Sequence, residues 1–525
     1  MTTDGNAASS GGAPALGAAP APVFGTVDAF VRGVLAPARI LTERQAWIVA
    51  ATALGLGLWT DVLFAGTWVG LNLPVWVASM VAAAIVLGRR FARPIEGQRV
   101  AILAVSVLLY SVFAWRASIV LMALGWIGGT SLLFMGVAMP AEARVDRLGV
   151  TSYVLALVGG CVALASSGLL LAERLASSAL PAVRQGTHTA SVVRGVVLAG
   201  ALLFVFGTLF VAADAVFEAQ VSQLFAFDLS AYAPHIARIL FGGWVGLAVL
   251  WASVGIRRPH DLEVEPPSNY RLRRLEVGIA LGALALLFAL FVVVQVRYLF
   301  GGADLVRSSV ALTYAEYARR GFFELVAASL LLLPVLAGIN WARERNVPAL
   351  RLFLALGGTL GVLLLVIVAS AWERLAIYRE AYGLTELRFY AVATLPWLVA
   401  TLVTFFVLVV RGRTRAFISL ASALVVAELL AFYLLSPDDF IVRTNGSRGV
   451  EGRPFDGLYA ASLSADAVPA LLERLAEVPA AERCSVVQSL RAFANPDDDF
   501  RSWNASRATA ARLVRARAAD LTCAP

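Results

Sequence analysis

Long apolar runs recur along this chain between short polar connections. A helix needs about 20 predominantly apolar residues to cross the hydrocarbon of a bilayer. Such runs fall at 47–64, 67–88, 100–115, 117–138, 150–171, 193–213, 236–256, 277–299, 321–341, 350–371, 389–410 and 416–435, the third being the shortest. Backbone groups in lipid must pair within their own segment, so the runs predict helices rather than open strands. Gly125, Gly128, Gly129, Gly243 and Gly246 lie inside them and predict close helix packing. The pattern therefore predicts an all-α fold, a polytopic transmembrane helix bundle over 27–435.

Two flanking regions depart from it. Residues 1–26 are an Ala/Gly/Pro/Ser run without the basic and apolar segments of a secretory signal, and are expected to be disordered. From Ser436 the chain becomes richer in charge and turn residues. Ser436-Pro437-Asp438-Asp439 reads as a break after the last span. The remainder, 436–525, reads as an extramembrane helical C-terminal domain with helices near 456–476, 480–494 and 499–520, and with Ser464 or Asp466 as an N-cap.

Composition excludes an ordinary soluble protein: 59% of the 525 residues are hydrophobic and 15% charged, against about 45–50% and 25% in soluble domains. The net charge of +8 rests on 43 basic residues, every one of them arginine. Without lysine there is no Walker lysine, no pyridoxal Schiff base and no lysine general base. The arginines are scattered between apolar runs, so the lipid bilayer is the expected partner and nucleic acid is not. Cys161 lies apart from Cys484 and Cys523, and His188, His235 and His260 fall in three separate connections. No metal, cofactor or catalytic constellation is expected from them.

Arginine counts predict orientation. The connections after residues 256, 341 and 410 carry Arg257, Arg258, Arg271, Arg273, Arg274, Arg343, Arg345, Arg411, Arg413 and Arg415 and are expected in the cytoplasm. The tail after residue 435 then falls on the outer face, where Cys484 and Cys523 are able to form a disulfide. Upstream, Arg89, Arg90, Arg93 and Arg99 also favour the cytoplasm. Satisfying both halves needs one helix more or fewer than twelve, so 11–13 spans are expected.

Four polar features stand out. Glu428 is the carboxylate well inside an apolar span; it reads either as a coupling site for protons or cations, or as a protonated or arginine-paired packing residue. Asp61 and Asp214 end apolar runs, at interfacial positions. Glu316, Arg320 and Glu324 follow one another at i,i+4 spacing, with Arg319 alongside, and predict either an interfacial helix or an exterior ligand cradle. Arg374, Tyr378 and Tyr382 form a second stripe. It is followed by Gly383 as helix terminator, by Thr385 as a cap, by Glu386 at the N-terminus of the next helix, and by Arg388. That segment predicts a helix, a tight turn and a returning helix, either protruding or lining a vestibule.

These segments carry a resemblance. Phe210–Phe217, Gln295–Gly302, Tyr314–Leu325, Tyr382–Arg388, Asp456–Pro469 and Trp503–Arg507 together resemble a bacterial family of multi-pass membrane proteins, domain of unknown function four-one-seven-three. The resemblance covers roughly residues 200–510 and implies no activity or catalytic residue. The expected function is a non-enzymatic sensor or scaffold of the cell envelope, in the bacterial cytoplasmic membrane, with a possible envelope protein partner at the C-terminal domain. The alternatives are a transporter using Glu428 and an envelope lipid-linked transferase; the connection at 65–67 is short for the latter.

Overall fold

The computed structural model describes residues 41–139 (except 93 and 96), 150–179, isolated positions between 195 and 210, 229–255, 271–300, 322–449, 455–495 and 499–522. Among them the chain is helical, with an isolated bridge between Leu272 and Arg343 and no strand. The helices are α1 (Glu43–Phe64), α2 (Asn72–Arg90), α3 (Gln98–Tyr110), α4 (Val112–Trp115), α5 (Ile119–Ala138), α6 (Val150–Ala179) and α7 (Leu229–Leu250). They continue with α8 (Arg274–Phe300), α9 (Phe322–Ala342), α10 (Val347–Tyr382), α11 (Glu386–Val410) and α12 (Phe417–Leu435). Ten of the described helical stretches are long and apolar enough to cross a membrane, α3 and α4 counting as one stretch. This is an all-α polytopic membrane bundle. The expected disordered segment 1–26 and most of the expected span at 193–213 lie outside the described residues.

Local chemistry sets the helix ends. Thr42 and Gln45 form a reciprocal capping box at the start of α1. Asn346 caps α10, with Pro348 in its first turn. Close packing follows the glycines: a Cβ on Gly57 of α1 would lie 2.3 Å from the Ile239 carbonyl oxygen of α7. One apolar cluster joins α1–α3 and α5–α7, and a second joins α8–α12. The third joins α3–α5, α11 and α12 to the residues after 435, so bundle and tail share a core.

The break expected at Ser436 ends α12, and a helix not expected from the sequence follows it at once. Ser436 adopts the left-handed conformation at φ 53 and ends α12. Pro437 then starts α13 (Pro437–Gly449) with Asp438 and Asp439 in its first turn, a favourable helix start by both φ and dipole. The short helices α14 (Gly457–Ser462), α15 (Val468–Glu473), α16 (Ala480–Ala492) and α17 (Ala505–Ala516) follow. Ser464 is the N-cap of a single 3-10 turn at Ala465–Ala467.

Tail contacts define one end of the bundle. Val69 and Leu71 lie between α1 and α2, Arg116 between α4 and α5, and Leu384 between α10 and α11; all bond to tail residues. At the opposite end lie Arg89, Arg90 and Arg99 together with Arg271, Arg273, Arg274, Arg343, Arg345, Arg411, Arg413 and Arg415. The two arginine sets that conflicted in the sequence thus share one end. The parity resolves because α7 begins at the tail end, where His235 and Arg238 meet Asp61 from the end of α1.

Candidate functional site

The junction between tail and bundle gathers the densest polar chemistry among the described residues. Asp466 is its centre, 5% exposed. Its Oδ2 accepts from the amides of Ala117 (2.7 Å) and Ser118 (3.0 Å), which open the α4–α5 connection. Those amides precede a helix and lack intrahelical partners, so a carboxylate from the tail satisfies them. Its Oδ1 accepts from the Ser506 hydroxyl and lies 3.6 Å from the Arg116 guanidinium.

Arg116 links three elements. Its Nε donates to the Tyr433 carbonyl at 2.6 Å and an Nη to that of Leu434 at 3.3 Å, capping the free carbonyls at the end of α12. The same guanidinium lies 5.0 Å from the Trp115 ring centroid. Asn504, 2% exposed, donates to the carbonyls of Phe113 and Arg116 while its own Oδ1 caps α17. Arg507 donates to the Val69 carbonyl, and the Leu71 amide to that of Trp503. Asn445 exchanges two hydrogen bonds with the Leu384 backbone, at 2.7 and 2.8 Å.

Behind Asp466 sits a second carboxylate. Asp438 is fully buried, and its Oδ2 accepts from the Ser464 hydroxyl (2.6 Å) and amide (3.2 Å). The Ser464 hydroxyl also lies 3.2 Å from Asp466 Oδ2, so one hydroxyl stands between two buried carboxylates. Burial, reinforced by the like charges of Glu386 and Asp466, pushes the Asp438 carboxyl up to about 6. Beside this core a cleft of about 270 Å³ opens between Trp115, Arg116, Asp439, Asp466, Ser506 and Thr509. Its volume suits a small polar group rather than an extended substrate.

The predicted site residues fall at different places. Arg388 donates to the carbonyls of Tyr382 (3.4 Å) and Gly383 (2.7 Å), closing the end of α10 across the turn. Arg374 is half-buried and Tyr382 exposed; Tyr378 lies between them on α10, with its side chain outside the described residues. Helix α10 runs unbroken for 36 residues, about 54 Å at 1.5 Å per residue, well beyond the roughly 30 Å hydrocarbon. Its last turns therefore project with the Gly383 turn, which the tail holds. Thr385 occupies the N-cap position of α11 without making a side-chain cap; instead the Tyr459 hydroxyl of the tail accepts from the Glu386 amide at 2.9 Å.

Glu428 is half-buried on α12 and makes no hydrogen bond or ion pair among the described residues. Asp61 is engaged by His235 Nδ1 and Arg238 Nε, each at 2.7 Å. Glu324 lies in α9, its side chain outside the described residues; Asp214, Glu316, Arg319 and Arg320 lie outside them altogether. Cys484 is disulfide-bonded and Cys161 carries a free thiol, while Cys523 lies outside the described residues.

Asp438, Arg116 and Asn445 carried no sequence signal, since their partners are mostly backbone groups far along the chain. Tyr459, Ser464, Asp466, Asn504, Ser506 and Arg507 all lie within the two tail stretches that bear the family resemblance.

A family model described as "Domain of unknown function (DUF4153)" matches residues 100–474. The chain belongs to that family. The number expected from the motifs, four-one-seven-three, is thereby corrected. The match includes Arg116, Asp438 and Asp466 and ends before Asn504. No curated protein and no solved structure matches the chain.

Proposed function

We propose that this family member is a non-enzymatic sensor or scaffold of the bacterial cell envelope, held in the cytoplasmic membrane with its tail on the outer face. The observation that carries this reading is the junction itself. One end of the bundle is devoted to holding the tail through side-chain bonds to backbone groups of several connections. Two further features support the outward tail. The short connections between spans at the opposite end are rich in arginine, in keeping with the positive-inside bias, and Cys484 is disulfide-bonded, which suits an oxidising compartment. We take Cys523 as its partner, the chain having three cysteines of which Cys161 is free.

Glu428 motivates a second reading, transport. An unpaired carboxylate about two turns inside the tail end of α12 is expensive in lipid and suits a coupling site. Complementation of a deletion strain under envelope stress separates the two. The scaffold reading expects Asn504→Ala to fail and Glu428→Gln to restore growth, both proteins being present at wild-type levels in the membrane. The reverse pattern selects transport and sinks the scaffold.

A further inference from the structure

Among the described residues, the buried Asp438 Oδ1 has no hydrogen-bond partner, and the buried Ser118 and Tyr390 hydroxyls lie against each other with no further partner. Their residues form one neighbourhood. The Ser118 amide bonds Asp466, which shares the Ser464 hydroxyl with Asp438, and the Tyr390 hydroxyl lies beside Ser118. Asp438 and Ser118 are 0% and 1% exposed. A buried carboxylate is tolerated when a positive charge or a proton compensates it.

The charges facing Asp438 do not supply that compensation. From α11 come Glu386, Arg388 and Tyr390; the Arg388 guanidinium donates to the Tyr382 and Gly383 carbonyls, and the charges acting on Asp438 are those of Glu386 and Asp466. Asp466 from the 3-10 turn adds a second negative charge, and Tyr459 from α14 is turned to the Glu386 amide. Arg116 reaches Asp466 and the end of α12, not Asp438. On α13 itself, Arg443 is held by Asp439 and by Glu473 from α15. Among the described residues, the cluster is left with one buried carboxylate oxygen and two neighbouring hydroxyls facing no cation.

We propose that Asp438, with Ser118 and Tyr390, is a binding site for a monovalent cation drawn from solvent, and that its occupancy tightens the tail on the bundle. The ligand atoms are all hard oxygens, which suits an alkali-metal ion or a proton and disfavours soft transition metals. The site is independent of which side of the membrane the tail faces. For a proton the sign follows from linkage. A carboxyl whose pKa in the folded state lies above its ordinary value binds the proton more tightly when folded. Its stabilisation is complete below about pH 4 and is lost as pH rises through about 6.

The test uses the full chain in lipid nanodiscs, following the thermal unfolding midpoint by tryptophan fluorescence between pH 5 and 8.5. Sodium, potassium and N-methylglucamine chlorides are compared at constant ionic strength. A proton site gives a midpoint that rises on acidification equally in all three salts; an alkali-ion site gives a higher midpoint in sodium or potassium at pH 8. Asp438→Asn removes either dependence. Glu386→Gln, which leaves the carboxylate in place, weakens the cation's hold and moves the pH profile down or the salt requirement up. A wild-type midpoint indifferent to both pH and cation overturns the proposal, as does a dependence that Asp438→Asn and Glu386→Gln leave unchanged.

Discussion

Asp466 and Asn504 show what single residues contribute to this architecture. Each is almost wholly buried, and each spends its polar atoms on backbone groups of the bundle. Removing a buried acceptor leaves its donors unsatisfied, at about 1–3 kcal/mol per orphaned group and more where a charge is involved. Asp466→Ala orphans the Ala117 and Ser118 amides and frees the Arg116 and Ser506 partners, so about 3 kcal/mol of docking stability should be lost. Asn504→Ala should cost about 2 kcal/mol on the same principle. Limited proteolysis in nanodiscs reads both: the tail should be cleaved faster, in the order Asp466→Ala, Asn504→Ala, wild type. Equal cleavage of all three would mean that the junction does not hold the tail.

Helix elements were the legible level of this sequence, because hydrophobic run length reports directly on what lipid accepts. The runs at 47–64, 389–410 and 416–435 correspond to α1, α11 and α12. The shortest run, 100–115, is a spanning stretch of 18 residues from Gln98 to Trp115, divided at Ser111 into α3 and α4. Helix α13 was hidden because Ser436-Pro437 stops one helix and starts another, and only the left-handed Ser436 distinguishes that from a simple break. The α11 cap was misread for a different reason. Thr385 is the right residue at the right position, but a tail tyrosine 73 residues away takes the amide.

Glycine packing belongs to the same scale. A side chain at Gly57 would collide with the α7 backbone, whereas at Gly55, on the same helix, nothing lies within 4 Å. Overpacking costs about 1–3 kcal/mol, or more where backbone must move. Gly57→Leu should therefore lower the unfolding midpoint and the yield of folded protein, while Gly55→Leu should match wild type. Equal behaviour of the two variants would refute the α1–α7 contact.

Over the whole molecule, two separations organise the chain: the arginine-rich connections near residues 89–99, 271–274, 343–345 and 411–415 from the end that holds the tail, and the tail from lipid. The first was only half visible in the sequence, since local arginine counts could not reconcile the two halves without the parity of the intervening passes. In the structure α7 begins at the tail end, and the arginine-rich connections of both halves that had conflicted then face the other way. The second separation was invisible, because the junction joins residues as far apart as Asp466 and Ala117, 349 positions along the chain. Its chemistry is side chain to backbone, which leaves no paired pattern to read. The stretches at 456–469 and 503–507 contain several of the junction residues without revealing their partners.

The central claim, an outward tail fixed to the end opposite the arginines, is tested most directly by two engineered thiols. Ser447 is exposed on α13 and Arg413 is exposed at the opposite end of the bundle. With Cys161 replaced by serine, Ser447→Cys and Arg413→Cys would each be treated in intact cells with a membrane-impermeant maleimide. Ser447→Cys should label in intact cells and Arg413→Cys only after lysis. Labelling of Arg413→Cys in intact cells, with Ser447→Cys protected until lysis, would turn the molecule over and contradict the account.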